Sequence, residues 1–183
     1  LVSDFFSDQI VGGAELTTEA IIKDSLLPVI KVHSRNVNER VMKKHHDKFW
    51  VFGNFSSLSE SSIMFACKNL CYSILEYDYK YCIYRSPEKH ASIVGKCNCH
   101  KERRGKLVSI FYKKAKTAWF MSHSQMNQYI DKFPFLNNTK VLSSAFSKET
   151  LSYMSSLKTD KKNNKWIILD SKSWVKGRDS AVK

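Results

Sequence analysis

No run of this chain approaches the roughly 18 consecutive apolar residues that a membrane-spanning helix needs. Nothing in it resembles a secretory signal peptide either. Acidic residues are few, 17 Asp and Glu against 30 Lys and Arg, and the formal net charge is +13. That balance favours polyanions, anionic lipid or phosphorylated ligands without choosing among them. Cysteine is also sparse and odd in number, five in 183 residues, which does not fit a secreted disulfide framework. Reduced thiols in a cytoplasmic setting are the expectation, and the sequons at Asn54 and Asn137 then say nothing about glycosylation. An initiating Met is missing, Leu1-Val2-Ser3 reads like the tail of a strand, and the chain stops at Lys183 within a helical-looking run. We therefore expect a piece of a longer protein. Its 183 residues suffice for one α/β domain with a sizeable core, or one domain and part of a second.

What is present is an alternation. Short apolar or aromatic runs at 29–33, 49–53, 72–78, 117–121, 139–143 and 166–170 are separated by segments of helical period. That is the pattern of βαβ units around a mostly parallel sheet. Ile63, Ala66, Cys67 and Leu70 fall at i, i+3, i+4 and i+7, as do Met126, Tyr129, Ile130 and Phe133. Leu107, Ile110, Phe111 and Ala115 make a similar stripe on a strongly basic helix. The predicted fold is a Rossmann-like open sheet flanked by helices. Residues 1–146 would form this domain, 147–165 a linker, and 166–183 the first strand and helix start of a second domain.

Chemistry-bearing residues cluster just after the predicted strands: His33-Ser34-Arg35, Gly53-Asn54-Phe55, Asp78-Tyr79-Lys80 and Ser122-His123. Ligands of open α/β sheets sit beyond the carboxyl ends of the strands, so one edge is nominated as the working edge. Near the start, Val11-Gly12-Gly13-Ala14-Glu15 leads from an apolar beginning into a helix. Paired glycines there let the main chain approach a ligand closely while the free N–H groups and dipole of the helix face an anion such as a phosphate or diphospho-sugar. Tight packing at a helix start would call for the same glycines.

The Gly12-Gly13-Ala14-Glu15 loop opens one α/β unit. After a polar stretch, Trp166-Ile167-Ile168-Leu169 and Lys176-Gly177 open a second. Together with the 113–122 helix-then-strand segment and Val141-Leu142-Ser143-Ser144, this arrangement resembles the two-domain GT-B glycosyltransferases, family 4 in particular. The resemblance implies transfer of a sugar from a nucleotide-sugar donor to a glycan, lipid-linked or phosphorylated acceptor, by a retaining reaction that needs no cofactor. It also implies a cytoplasmic enzyme able to touch an anionic membrane peripherally.

In that resemblance Gly12 and Gly13 match the loop that approaches the donor phosphate and sugar, and Lys176 matches the lysine that neutralises the diphosphate. The family's partner arginine is replaced by Ser171, with Lys172 or Arg178 as substitutes, and its sugar-contacting histidine is absent. Asp78 is then the nearest candidate for a catalytic or sugar-contacting role. Glu15, Asn54, Lys80, Arg85 and Ser122 are further candidates for sugar or acceptor contacts. The family's paired glutamates belong to a region beyond residue 183, so the 183-residue chain is expected to bind donor weakly and to transfer no sugar by itself.

A separate group, Cys82, His90, Cys97, Cys99 and His100, supplies enough thiolate and imidazole for tetrahedral zinc. Cys97-Asn98-Cys99 lies outside the usual two-to-four-residue ligand spacing, so free loop cysteines compete with that reading. Two other functions compete with sugar transfer: a basic nucleic-acid-binding α/β module, and a glycosyltransferase-like domain that has lost catalysis. Against the first, the aromatic residues fall mainly in buried-looking strands and are not interleaved with Lys and Arg as a stacking platform would be.

Overall fold

Most helices in this chain start where a short polar side chain can take a free backbone N–H. In the computed structural model, which describes residues 1–157, Asn38, Ser59, Ser86, Ser122 and Ser147 do so. They open α2 (Glu39–Lys44), α3 (Glu60–Asn69), α4 (Pro87–Val94), α6 (His123–Lys132) and α7 (Lys148–Ser156). The remaining two, α1 (Gly13–Lys23) and α5 (Arg103–Lys114), follow Gly12 and Glu102 and have no side-chain cap.

The strands are β1 (Val2–Ser3), β2 (Val32–His33), β3 (Phe49–Phe52), β4 (Cys71–Glu76), β5 (Ala118–Phe120) and β6 (Thr139–Val141). They pair in the order β2-β1-β3-β4-β5-β6, all parallel. Val2 lies beside both Val32 and Phe52, and Leu75 lies beside Trp119. This is the open α/β sheet that the alternation predicts. Because the chain leaves β1 for β2 on one side and returns to β3 on the other, the topological switch point falls between β1 and β3. Right-handed crossovers then put α1 on one face and α2, α3, α5 and α6 on the other.

β4 is the central strand and is buried from Tyr72 to Glu76. Its neighbours fill the core with rings. Phe111 packs against Phe52, Phe55 and Tyr72 at centroid distances of 5.1, 5.2 and 4.7 Å. Tyr129 stacks on Tyr112 at 5.2 Å and meets Phe120 at 4.9 Å.

One expected stripe is rotated. Ile110 of α5 is 44% exposed, and the buried face consists of Gly105, Val108, Ser109, Phe111 and Tyr112. Gly105 faces inward because the Cys99–His100 backbone packs against the helix there, and with Ser109 on the same buried face Ile110 is turned outward. The stretch expected as a linker from 147 begins with α7, beside which Phe146, Ser147 and Thr150 share a shallow hollow with Leu16, Ala20 and Lys23 of α1. The predicted 166–170 strand, the rest of the linker, the start of a second domain and Lys176 lie outside the described residues.

The ring cluster at Phe111 gives the first test. Phe111→Ala should destabilise the domain by about 3–5 kcal/mol, measured as a lower urea midpoint with an unchanged slope.

Candidate functional site

β4 ends in a carboxylate. Glu76 is fully buried and accepts from the phenols of Tyr112 on α5 and Tyr129 on α6. It also accepts from the Asp78 amide at 3.0 Å and from Lys80 Nζ at 2.7 Å. Tyr129 in turn accepts from the Lys80 amide at 3.0 Å. Burial pushes the Glu76 carboxyl above its ordinary value while Lys80 pulls the other way. Burial, with Glu76 alongside, raises both phenols far enough that they remain donors.

From this buried centre the network runs outward along the carboxyl edge of the sheet. Lys80 Nζ also lies 3.4 Å from Asp78 Oδ1, and Arg85 donates to Asp78 Oδ2 at 2.9 Å. Burial alone would raise Asp78, but Lys80 and Arg85 outweigh it and hold the carboxyl below its ordinary value. Arg85 Nη2 is also 3.9 Å from Asp4 Oδ2.

Asp4 follows β1 and accepts from the Ser34 hydroxyl, beyond β2. It also accepts from the Ser56 amide at 2.9 Å and the Ser56 hydroxyl at 2.7 Å, beyond β3. Burial works against its charge. The serine hydrogen bonds and Arg85 prevail and keep Asp4 below its ordinary value. One carboxylate thus ties together the ends of three strands at the switch point.

The candidates read from the sequence divide accordingly. Asp78 and Arg85 belong to this edge network. Lys80 is 1% exposed and committed to Glu76, so it is a structural cation and not a ligand contact. Ser122 accepts from the Gln125 amide as the cap of α6. Asn54 lies just past β3, and its Oδ1 is buried with no hydrogen-bond partner among the described residues. Gly12 and Gly13 start α1, with the carboxylate end of Glu15 folded back over Gly12. Ser34 was named from the sequence as a residue just past a strand and Tyr129 only as part of a buried helical stripe, whereas Asp4, Ser56, Glu76 and Tyr112 were not singled out. The available signal was the position of Asp4, Ser34 and Ser56 one to four residues after a strand.

A second cluster lies on the long connection between β4 and α5. Cys82 sits in the turn after β4, His90 on α4, and Cys97 and Cys99 in the segment leading into α5. Their ligand atoms all lie within 4.8 Å of one another. Cys82 and Cys99 are buried. His100, grouped with them on sequence grounds, is not a member: its ring meets Phe133 edge-on, and its Nδ1 is buried without a partner. Burial, with the adjacent thiols adding to it, pushes Cys82 up to about 12 and raises Cys97.

No family model, no curated protein and no solved structure matches the chain. Functional inference therefore rests on these residues themselves.

Two tests follow from the edge network. Lys80→Met leaves Glu76 buried without its cation and should cost about 3–5 kcal/mol in urea unfolding. Asp4→Asn should cost about 1–3 kcal/mol at neutral pH by loss of charge-assisted hydrogen bonds. Because the Asp4 carboxyl is depressed in the fold, its contribution is full above the ordinary value of 3.8 and is lost as pH falls through the depressed one. Wild type and Asp4→Asn should therefore converge in stability as the unfolding series is taken into acid.

Proposed function

We propose that this domain is the acceptor-side half of a GT-B-type glycosyltransferase, in which the crevice outside β1 and β3 receives the phosphate or sugar portion of a nucleotide-sugar. The observation that carries the reading is the character of Gly12 and Gly13. Gly12 has an extended backbone (φ −137°, ψ 167°) that any residue can adopt. A Cβ on Gly13 would meet nothing within 4 Å, and one on Gly12 would meet only the mobile end of the Glu15 side chain. Among the described residues internal packing therefore does not require glycine at either position, and the main chain here is open to close approach by an outside group.

Two further features support the crevice. The start of α1 has no side-chain cap among the described residues, and a helix N-terminus of this kind suits an anion. The orphaned Asn54 Oδ1 is a buried acceptor at the same sheet edge and suits a donating sugar hydroxyl. In this reading the α1 N-terminus offsets charge on the leaving nucleoside diphosphate. Arg85, held by Asp78 and Asp4, presents a positioned cation to a phosphorylated or sugar acceptor. The nucleotide-sugar is a substrate, and the transfer requires no cofactor. By the family resemblance, Lys176 would supply a further cation for the diphosphate.

The test is amide NMR of the 183-residue chain titrated with UDP, GDP and their sugar conjugates. Resonances of Gly12, Gly13 and Asn54 should shift. Gly13→Val, which has room for its side chain, should weaken binding by about tenfold or more with an unchanged thermal midpoint. If none of these probes moves the crevice resonances, the proposal falls. Tight, salt-sensitive binding of single-stranded RNA that leaves Gly13 unmoved would point to the nucleic-acid module instead.

A further inference from the structure

The connection from Tyr77 to Glu102 has an odd construction. It contains α4, a helix of 8 residues none of which is buried. Tyr81 and Cys82 at its start and Cys99 near its end are buried, but no residue from 83 to 98 is, so the middle of the segment has little of its own to hold it in one conformation. Yet it contributes Arg85 to the sheet edge, with the backbone in the left-handed region at φ 57°, an uncommon conformation for a side chain of that size.

We propose that Cys82, His90, Cys97 and Cys99 bind one zinc ion in a closed structural site that fastens this connection to α5. Geometry is the first argument. Zinc bonds of about 2.3 Å to sulfur and about 2.0–2.1 Å to imidazole nitrogen imply tetrahedron edges of about 3.8 Å between sulfurs and about 3.6 Å from sulfur to nitrogen. The observed separations are 3.8 Å for Cys97 Sγ to Cys82 Sγ, 3.6 Å for Cys82 Sγ to His90 Nδ1 and 3.3 Å for Cys99 Sγ to His90 Nδ1. These three edges are close to those of a zinc-sized tetrahedron, and all four atoms lie within 4.8 Å of one another. They do not form a disulfide, whose sulfurs would be about 2.05 Å apart.

Ligand chemistry is the second argument. Three thiolates and an imidazole are a soft donor set suited to zinc and ill-suited to magnesium or calcium. Four protein ligands fill the tetrahedron and leave no position for a reacting water, so the site is structural and not catalytic.

The third argument comes from α5. Gly105 is the point where the segment carrying the last ligand meets that helix. A Cβ there would collide with the Cys99 carbonyl oxygen and approach His100 Cα to 2.7 Å. Absence of a side chain at 105 is what lets Cys99 settle against α5 and complete the group. With zinc bound, the turn after β4, α4 and the start of α5 are joined at one point, and Arg85, three residues beyond Cys82, is held over Asp78. This site stands independently of the sugar-transfer reading.

The chain should be purified under reducing conditions in zinc-containing medium and analysed for metal. About one zinc per chain is expected. The exposed Cys71 should react with a thiol reagent at once, and Cys82, Cys97 and Cys99 only after chelation. Cobalt(II) replacement should give thiolate-to-metal charge-transfer absorption and tetrahedral ligand-field bands. Cys99→Ser and His90→Ala should lower zinc affinity at least about tenfold, and Gly105→Ala about 10–100-fold through displacement of Cys99, whereas Cys71→Ser should leave it unchanged. Chelation should raise hydrogen exchange across 79–101 and leave β3 and β4 protected. If the ligand variants do not fold, wild-type metal content and the cobalt spectrum decide the matter. A folded wild-type chain that takes up neither zinc nor cobalt overturns the proposal, as does zinc uptake undiminished in folded Cys99→Ser.

Discussion

The Glu76 carboxylate is the constraint around which the rest of the domain is arranged. A carboxylate with no exposed surface at the end of the central strand carries a desolvation cost of several kcal/mol unless donors surround it. Those donors come from three places: the phenols of α5 and α6, the Asp78 amide, and the Lys80 amide and ammonium. Meeting the demand of this one group fixes how α5 and α6 pack over β4. It also turns the chain sharply after Glu76, because Lys80 must return to a carboxylate only four residues behind it.

That turn determines what the sheet edge can present. With Lys80 spent inside, Asp78 faces Arg85, and Arg85 extends the charge pairing to Asp4 at the switch point. The pairing is graded by burial. Glu76 and Lys80 are sealed, whereas the Asp78, Arg85 and Asp4 side chains remain 30%, 24% and 11% exposed. An incoming polar ligand can compete for the outer members without disturbing the inner pair, so a rigid interior and an adjustable edge coexist in one network.

The sheet was legible in the sequence because parallel strands buried on both faces read as short apolar runs, and the helices between them repeat at 3.6 residues. Periodicity says where a side chain points but not what meets it. It set Ile110 in the buried stripe because it is apolar, and passed over Tyr112, whose hydroxyl could be judged only once Glu76 was known to lie beneath it. Glu76 itself stands at the end of a tyrosine-rich run, where the apolar pattern gives no sign of which polar groups lie inside. Lys80 read as a ligand contact for the same reason: nothing local reveals a buried partner.

The cysteine cluster was half-visible for a different reason. Familiar zinc spacings arise when two ligands share one tight turn, so that sequence distance stands in for spatial distance. Here the four ligands come from a turn, a helix and the entry to a second helix, and each interval is set by the path of the chain and not by a local motif. The one local clue is Gly105, a glycine within a helix where it costs about 1 kcal/mol relative to alanine. That cost makes sense only if something must lie flush against the helix, and what lies there is the Cys99 backbone. The helix therefore carries both of this domain's unusual demands: Tyr112 near its end serves the buried carboxylate, and Gly105 near its start admits the thiol cluster. Because the connection between β4 and α5 is anchored at Glu76 on one side and beside Gly105 on the other, Arg85 is positioned from both ends of a segment with no buried residue between 83 and 98.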